Sequence, residues 1–202
     1  MKIGLLGGSF NPAHDGHRHI SLLALDLLGL DQVWWMVSPQ NPLKAPTGMA
    51  SLNDRLAHAR EVANDPRIVP SDIETELGTR YTTDTVRTLR RRFPEVRFVW
   101  LMGADNLAQV PQWKKWRTLF RTVPIAIFDR PTYSRSALNG KAARRFTAGR
   151  LPERQAKRLA TSNPPAWIFF RGRLNVLSAT TIRARHAADL GNWVLDEPKH
   201  RR

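Results

Sequence analysis

His14 and His17 are the residues whose type and spacing point most directly to chemistry. In His14-Asp15-Gly16-His17 two imidazoles stand three positions apart, and at the mouth of a helix residues so spaced share a face. Each ring can donate an N–H to a phosphate oxygen, and Gly16 keeps the space between them clear of a side chain. The same pair could instead cap a surface helix or hold a metal. A zinc site would need further ligands, and the chain has no cysteine and no third ligand at an evident spacing.

The elements that must position this pair can be read around it. An apolar run, Ile3 to Leu6, breaks at Gly7-Gly8, passes through Ser9-Phe10-Asn11-Pro12 and resumes as an amphipathic pattern from about Gly16. Strand, tight loop and helix is the economical reading. Glycines let backbone N–H groups approach a ligand, and a helix start offers free N–H groups and a positive dipole end, so phosphate is the natural guest. Neither G-x-G-x-x-G nor G-x-x-x-x-G-K-[ST] occurs in this stretch.

Four other places carry candidate groups. Lys44 lies in the stiff loop Pro39 to Pro46 after an apolar segment, where it can meet a phosphate or simply face solvent. Gly78 to Thr85, with Tyr81 and Thr82, reads as a helix start that threonine or aspartate can cap and whose N–H groups can receive a carboxylate. Gly103 and Asp105 end the clearest interior strand, where a carboxylate can accept both ribose hydroxyls or cap a helix. Trp113, in Pro111-Gln112-Trp113-Lys114-Lys115-Trp116, can stack on a pyridine ring, whereas Trp116 reads as packing. Near the C-terminus, Ser178 and Thr180 can cap a helix, with Ile182 beside Arg183, whose guanidinium can fork onto phosphate.

The remaining pattern alternates strands and helices. A helix over His17–Leu28 stops at Gly29, strands are expected over 32–38, 68–70, 96–102, 123–128 and 167–170, and helices over 51–64 and 83–93. Arg55 and Arg60 read as surface charges, His19 as surface or supporting, and Trp34 and Trp35 as core. Pro124 suits an early or weakly paired strand position. Ser136 to Ala160, rich in Ala, Arg and Lys, predicts one or two short basic helices broken at Gly149 and Pro152. The expected fold class is α/β, a doubly wound, mostly parallel sheet with a small C-terminal helical portion. One domain over residues 1–198 would include a basic insertion or cover at about 131–166, and 199–202 would be a basic tail.

Composition bounds the partners. The net charge is +15, and residues 130–202 hold 16 Lys or Arg against four Asp or Glu. That asymmetry assigns the excess to an appendage rather than to a catalytic site. Without an aromatic ladder, a zinc pattern or a recognition helix, nucleic acid is not an expected partner. No apolar run reaches the 18 or so residues needed to span a bilayer, and Met1 leads straight into a strand with no room for a secretory leader. A cytoplasmic location is the expectation; oligomeric state stays open.

Gly7-Gly8-Ser9-Phe10-Asn11-Pro12-Ala13-His14-Asp15-Gly16-His17 resembles the signature of the nucleotidylyltransferase superfamily, and among its members the bacterial nicotinate-nucleotide adenylyltransferases. Ser178-Ala179-Thr180-Thr181-Ile182-Arg183 is similar to the superfamily's second signature, and Tyr81-Thr82-Thr83-Asp84-Thr85 to a motif of that member. The resemblance implies a Rossmann-like fold and adenylyl transfer from ATP to nicotinate mononucleotide, with Mg2+ carried on the nucleotide and no dedicated metal cage. It implies that ATP is held by Gly7, Gly8, Ser9, Phe10, His14, His17, Gly103, Asp105, Ser178, Thr180, Ile182 and Arg183. His14, His17 and Arg183 would act on the phosphates, and Lys44, Tyr81, Thr82 and Trp113 would hold the mononucleotide. Where the family commonly has an aromatic residue after this tryptophan, Lys114 stands here. Adenylyltransferases for nicotinamide mononucleotide or phosphopantetheine are the rival enzymes; a basic RNA-binding protein on an inactive nucleotide fold is the rival of another class.

Overall fold

The structure is a computed structural model that describes residues 1–39, 49–129 and 133–172. In chain order its elements are β1 (Lys2–Gly8), α1 (Asp15–Leu28), β2 (Gln32–Val37), α2 (Leu52–Ala63), β3 (Ile68–Ser71), α3 (Ile73–Glu76), α4 (Thr82–Arg92) and β4 (Arg97–Gly103). There follow α5 (Ala104–Gln109), α6 (Trp116–Thr122), β5 (Ile125–Phe128), α7 (Ser134–Leu138), α8 (Lys141–Arg145), a 3-10 helix (Glu153–Thr161) and β6 (Trp167–Phe170). The six strands form one sheet in the order β3-β2-β1-β4-β5-β6, every pair parallel. This is a doubly wound Rossmann-like α/β sheet, and its strand order reverses between β1 and β4.

Period-two alternation sorts the strands' side chains onto two apolar layers. Leu6, Val33, Trp35, Val99, Leu101, Ala126, Phe128, Ile168 and Phe170 face α1, α2 and the 3-10 helix. Leu5, Met36, Phe98, Trp100, Met102, Ile125, Ile127, Trp167 and Phe169 face α4 to α8. Each fully buried Leu, Ile or Phe side chain stabilises the fold by about 1.5–3 kcal/mol.

Local signals explain the borders. α1 begins two residues before its expected start because His14 and His17 form a reciprocal cap, and it ends where Gly29 takes a left-handed φ of 61°. Ser51 caps α2 through a bond from the Asp54 N–H to its hydroxyl. Pro124 lies just before β5, an interior strand, where its carbonyl accepts the Trp100 N–H. At α4 no side chain caps the helix; Tyr81 is the boundary residue, and Thr83 and Thr85 are buried instead of serving as caps. Residues 133–166 carry two short α-helices and two 3-10 segments and cross from β5 to its neighbour β6. Their Ala142, Ala143, Phe146, Ala156, Leu159 and Ala160 enter the core while Lys141, Arg144, Arg154 and Lys157 face outward. The expected C-terminal helical portion lies outside the described residues. Among them, no helix is long and apolar enough to cross a membrane.

Candidate active site

In a doubly wound sheet, ligands bind beyond the carboxyl ends of the strands, at the point of reversal. Here that point is the crevice beyond β1 and β4. Leu6 pairs with Leu101, so Gly8 and Gly103, each two residues further on, end the two strands at the same height. Gly7 has to be small: a Cβ there would lie 2.6 Å from the Trp100 ring. Gly8 has no comparable neighbour, since a Cβ would meet only Phe10 at 3.4 Å.

The β1–α1 loop carries the histidines. Nδ1 of His14 accepts the Gly16 N–H at 3.1 Å, and Nδ1 of His17 accepts the His14 N–H at 3.3 Å. The ring centroids lie 3.9 Å apart. With both Nδ1 atoms acting as acceptors, a neutral ring must carry its proton on Nε2. One nitrogen of each ring therefore caps the helix, and the proton of a neutral ring sits on the other. Beneath them, Phe10 packs 4.6 Å from the His17 ring and 5.1 Å from Trp35. The Phe10 side chain is 1% exposed, so toward a ligand this residue can offer only backbone. Its φ of 45° is left-handed, a conformation that costs a bulky residue about 1–3 kcal/mol and is held here by the core contacts. Ser9 is also buried, and among the described residues the His19 Nε2 has no hydrogen-bond partner.

Two buried ionisable groups support the loop. Arg55, which the sequence suggests is a surface charge, is 3% exposed. Its guanidinium donates to the carbonyls of Ser9 (2.6 Å), Ser38 (2.7 Å), Pro39 (3.1 Å) and Ala50 (3.0 Å), tying the β1 loop, the end of β2 and the start of α2 together. Burial pushes its pKa down from the ordinary arginine value. Glu74 lies in α3, and burial pushes its pKa up while bonds from the Ser38 and Thr85 hydroxyls act the other way. Ser38 thus joins the two: its carbonyl takes Arg55 and its hydroxyl takes Glu74. Arg60, by contrast, is exposed as expected. Arg55 did leave a signal, because it falls on the same helical face as Leu52, Leu56 and Ala59.

The pieces expected to hold an acceptor also come together. Thr83 Oγ1 donates toward the carbonyls of Lys114 (3.3 Å) and Lys115 (3.4 Å), and Lys115 Nζ pairs with Asp84 at 3.3 Å. The turn bearing Trp113 is thereby docked on the first turn of α4, next to Tyr81 and Thr82. Lys115 takes a left-handed φ of 55° in that turn. Trp113 is half-buried, and its ring meets Trp100 edge-on at 6.3 Å. Trp116 is buried against Phe120 and Phe146, as packing requires. Asp105 sits in the first turn of α5, which starts at Gly103 without a side-chain cap. Lys44, Ser178, Thr180, Ile182 and Arg183 lie outside the described residues. Among the described residues no group of three or more His, Asp or Glu is gathered as metal ligands.

Comparison with known proteins agrees with this arrangement. A sequence profile described as cytidylyltransferase-like matches residues 5–185. A Parvibaculum lavamentivorans protein named probable nicotinate-nucleotide adenylyltransferase is 52% identical over 195 residues, 96% of this chain and 94% of its own. A Bradyrhizobium protein of the same name is 55% identical over 91% of this chain and 95% of its own. Among solved structures, the Plasmodium falciparum nicotinic acid mononucleotide adenylyltransferase complexed with NaAD superposes with a TM-score of 0.67 at 16% identity, covering 91% of this chain and 82% of that one. Its complex with APC gives 0.65 at 15% identity with the same coverage. These distant structures speak to the fold, and the close relatives to the family. The chain belongs to the nicotinate-nucleotide adenylyltransferase family.

Proposed function

We propose that this chain transfers the adenylyl group of ATP to nicotinate mononucleotide, giving deamido-NAD and pyrophosphate. The observation that carries the reading is the His14–His17 pair, whose Nδ1 atoms cap α1 beside the reversal point of the sheet, so that each neutral ring holds its proton on Nε2. The clamped Tyr81–Thr82 and Trp113 elements support it.

The phosphate monoester of the mononucleotide carries about −1.5 to −2 charge near neutral pH, so the nucleophile needs no base. Its oxygen attacks the α-phosphorus in line; a new P–O bond forms as the bond to the β-phosphate bridging oxygen breaks, and pyrophosphate leaves with that electron pair. The protein's work is positioning and charge stabilisation. His14 and His17 donate to the transferring and leaving phosphate oxygens, Gly7, Gly8, Ser9 and the backbone of Phe10 shape the loop, and Gly103 and Asp105 hold the adenosine side. Tyr81 and Thr82 receive the nicotinate carboxylate at the α4 N-terminus, and Trp113 stacks on the ring. By resemblance, Ser178, Thr180, Ile182 and Arg183 grip the ATP phosphates from the other side, and Lys44 assists. Mg2+ supplies charge neutralisation on the phosphates and arrives with the nucleotide, which suits a site built of ring N–H and backbone donors.

A mass-resolved product assay tests this, with Mg-ATP and separate mixtures of nicotinate mononucleotide, nicotinamide mononucleotide and phosphopantetheine. Dominant deamido-NAD with equimolar pyrophosphate is the expected result. A preference for either other acceptor overturns the substrate assignment.

A further inference from the structure

Lys114, which follows Trp113, has a defined place in the fold. Nζ of Lys114 lies 4.2 Å from the centroid of the Tyr81 ring, on the residue that bounds α4. The Arg80 guanidinium lies 5.9 Å from the same centroid. Asp84, the acid in the first turn of α4, is already paired with Lys115. The end of α4 therefore presents its positive dipole and two cations, with its acid neutralised. The Thr83 bond to the Lys114 carbonyl keeps the turn on the helix, so the ammonium is anchored both by its backbone and by the ring beneath it.

From this we infer that Lys114 is a specificity-determining residue that favours an acceptor whose pyridine carries a negative charge. The inference rests on the reading of nicotinate mononucleotide as acceptor. A pyridine carboxylate and a pyridine carboxamide have nearly the same shape, and backbone N–H donors serve a carbonyl oxygen of either. Shape alone separates them poorly. Charge does separate them: an ammonium near the α4 start is attracted to the carboxylate and gains nothing comparable from the amide. An exposed lysine gives a modest effect, weakened by salt.

The test compares kcat/KM for nicotinate mononucleotide and nicotinamide mononucleotide in wild type, Lys114→Met and Lys114→Arg at low and high ionic strength. Met keeps an apolar stem against Tyr81 and removes the charge; Arg retains the charge. Lys114→Met is expected to lower the nicotinate-to-nicotinamide ratio by about 3- to 10-fold, through the KM for nicotinate mononucleotide. Lys114→Arg should keep the wild-type ratio, and added salt should move the wild-type ratio toward that of Lys114→Met. An unchanged ratio in Lys114→Met, or an equal loss with both acceptors, overturns the role of Lys114 while leaving the substrate reading intact. A wild type with no preference for nicotinate mononucleotide overturns the substrate reading itself, and the inference with it.

Discussion

The imidazoles of His14 and His17 lie 3.9 Å apart, each spending Nδ1 on a backbone N–H at the start of α1. The rings that cap α1 are also the ones proposed to act on the phosphates, and the two roles can be separated.

His14→Ala removes the cap and should cost about 1 kcal/mol, or roughly 2–4 °C in Tm. His14→Asn should recover most of that stability, since asparagine caps well through Oδ1, yet its Nδ2 donor lies nearer the backbone and does not reach as far as Nε2 of histidine. Adenylyl transfer in His14→Asn should stay down by about 10²-fold. Thermal melts alongside kcat/KM decide it; recovery of both together would mean that His14 acts only as a cap.

Gly7 and Trp100 share one space. Gly7→Ala puts a Cβ 2.6 Å from the far edge of the indole and should destabilise by about 1–3 kcal/mol. Trp100→Phe withdraws that edge, so the double variant should lose less than the sum of the single losses. Denaturant titration of all four proteins measures the coupling; strict additivity would contradict the contact.

Arg55→Met leaves four backbone carbonyls without their charged donor and should cost about 3 kcal/mol, or roughly 6–12 °C in Tm. A melt within about 1 °C of wild type would show that the guanidinium does not hold these loops.

Glu74 gives a pH signature. Because burial raises its pKa, between its ordinary value and the raised one the folded chain holds a proton that the unfolded chain has released. Its contribution to stability is therefore greatest at low pH and falls as pH rises through that window. Glu74→Gln removes this titration, so its stability relative to wild type should improve as the pH rises above the ordinary glutamate range. A constant difference across that rise would contradict the assignment.

Much of this was legible in the residues. Short apolar runs marked the strands, Gly29 marked the end of α1, Ser51 capped α2 as its type suggests, and the glycines and histidines of the first loop fell between β1 and α1 as expected. Long-range partners were less visible. The carbonyls that bury Arg55 come from Ser9, Ser38 and Pro39, far away in the chain, so a charge within an apolar stripe read as surface. Glu74 is invisible for the same reason, its partners being Ser38 and Thr85. A threonine or aspartate within Gly78–Thr85 was expected to cap α4, but no side chain does so, and tertiary contacts draw Thr83 and Thr85 inward. The basic stretch after β5 read as an insertion or cover from its charges; its Ala142, Ala143, Ala156, Leu159 and Ala160 are buried in the core.

The most direct measurement is single-turnover adenylyl transfer, with enzyme in excess over ATP, for wild type and His17→Ala shown to be folded by circular dichroism. Deamido-NAD formation should be slower by about 10²-fold in the variant. Equal rates in the two proteins would contradict the claim that the imidazole pair at the start of α1 is the transfer centre.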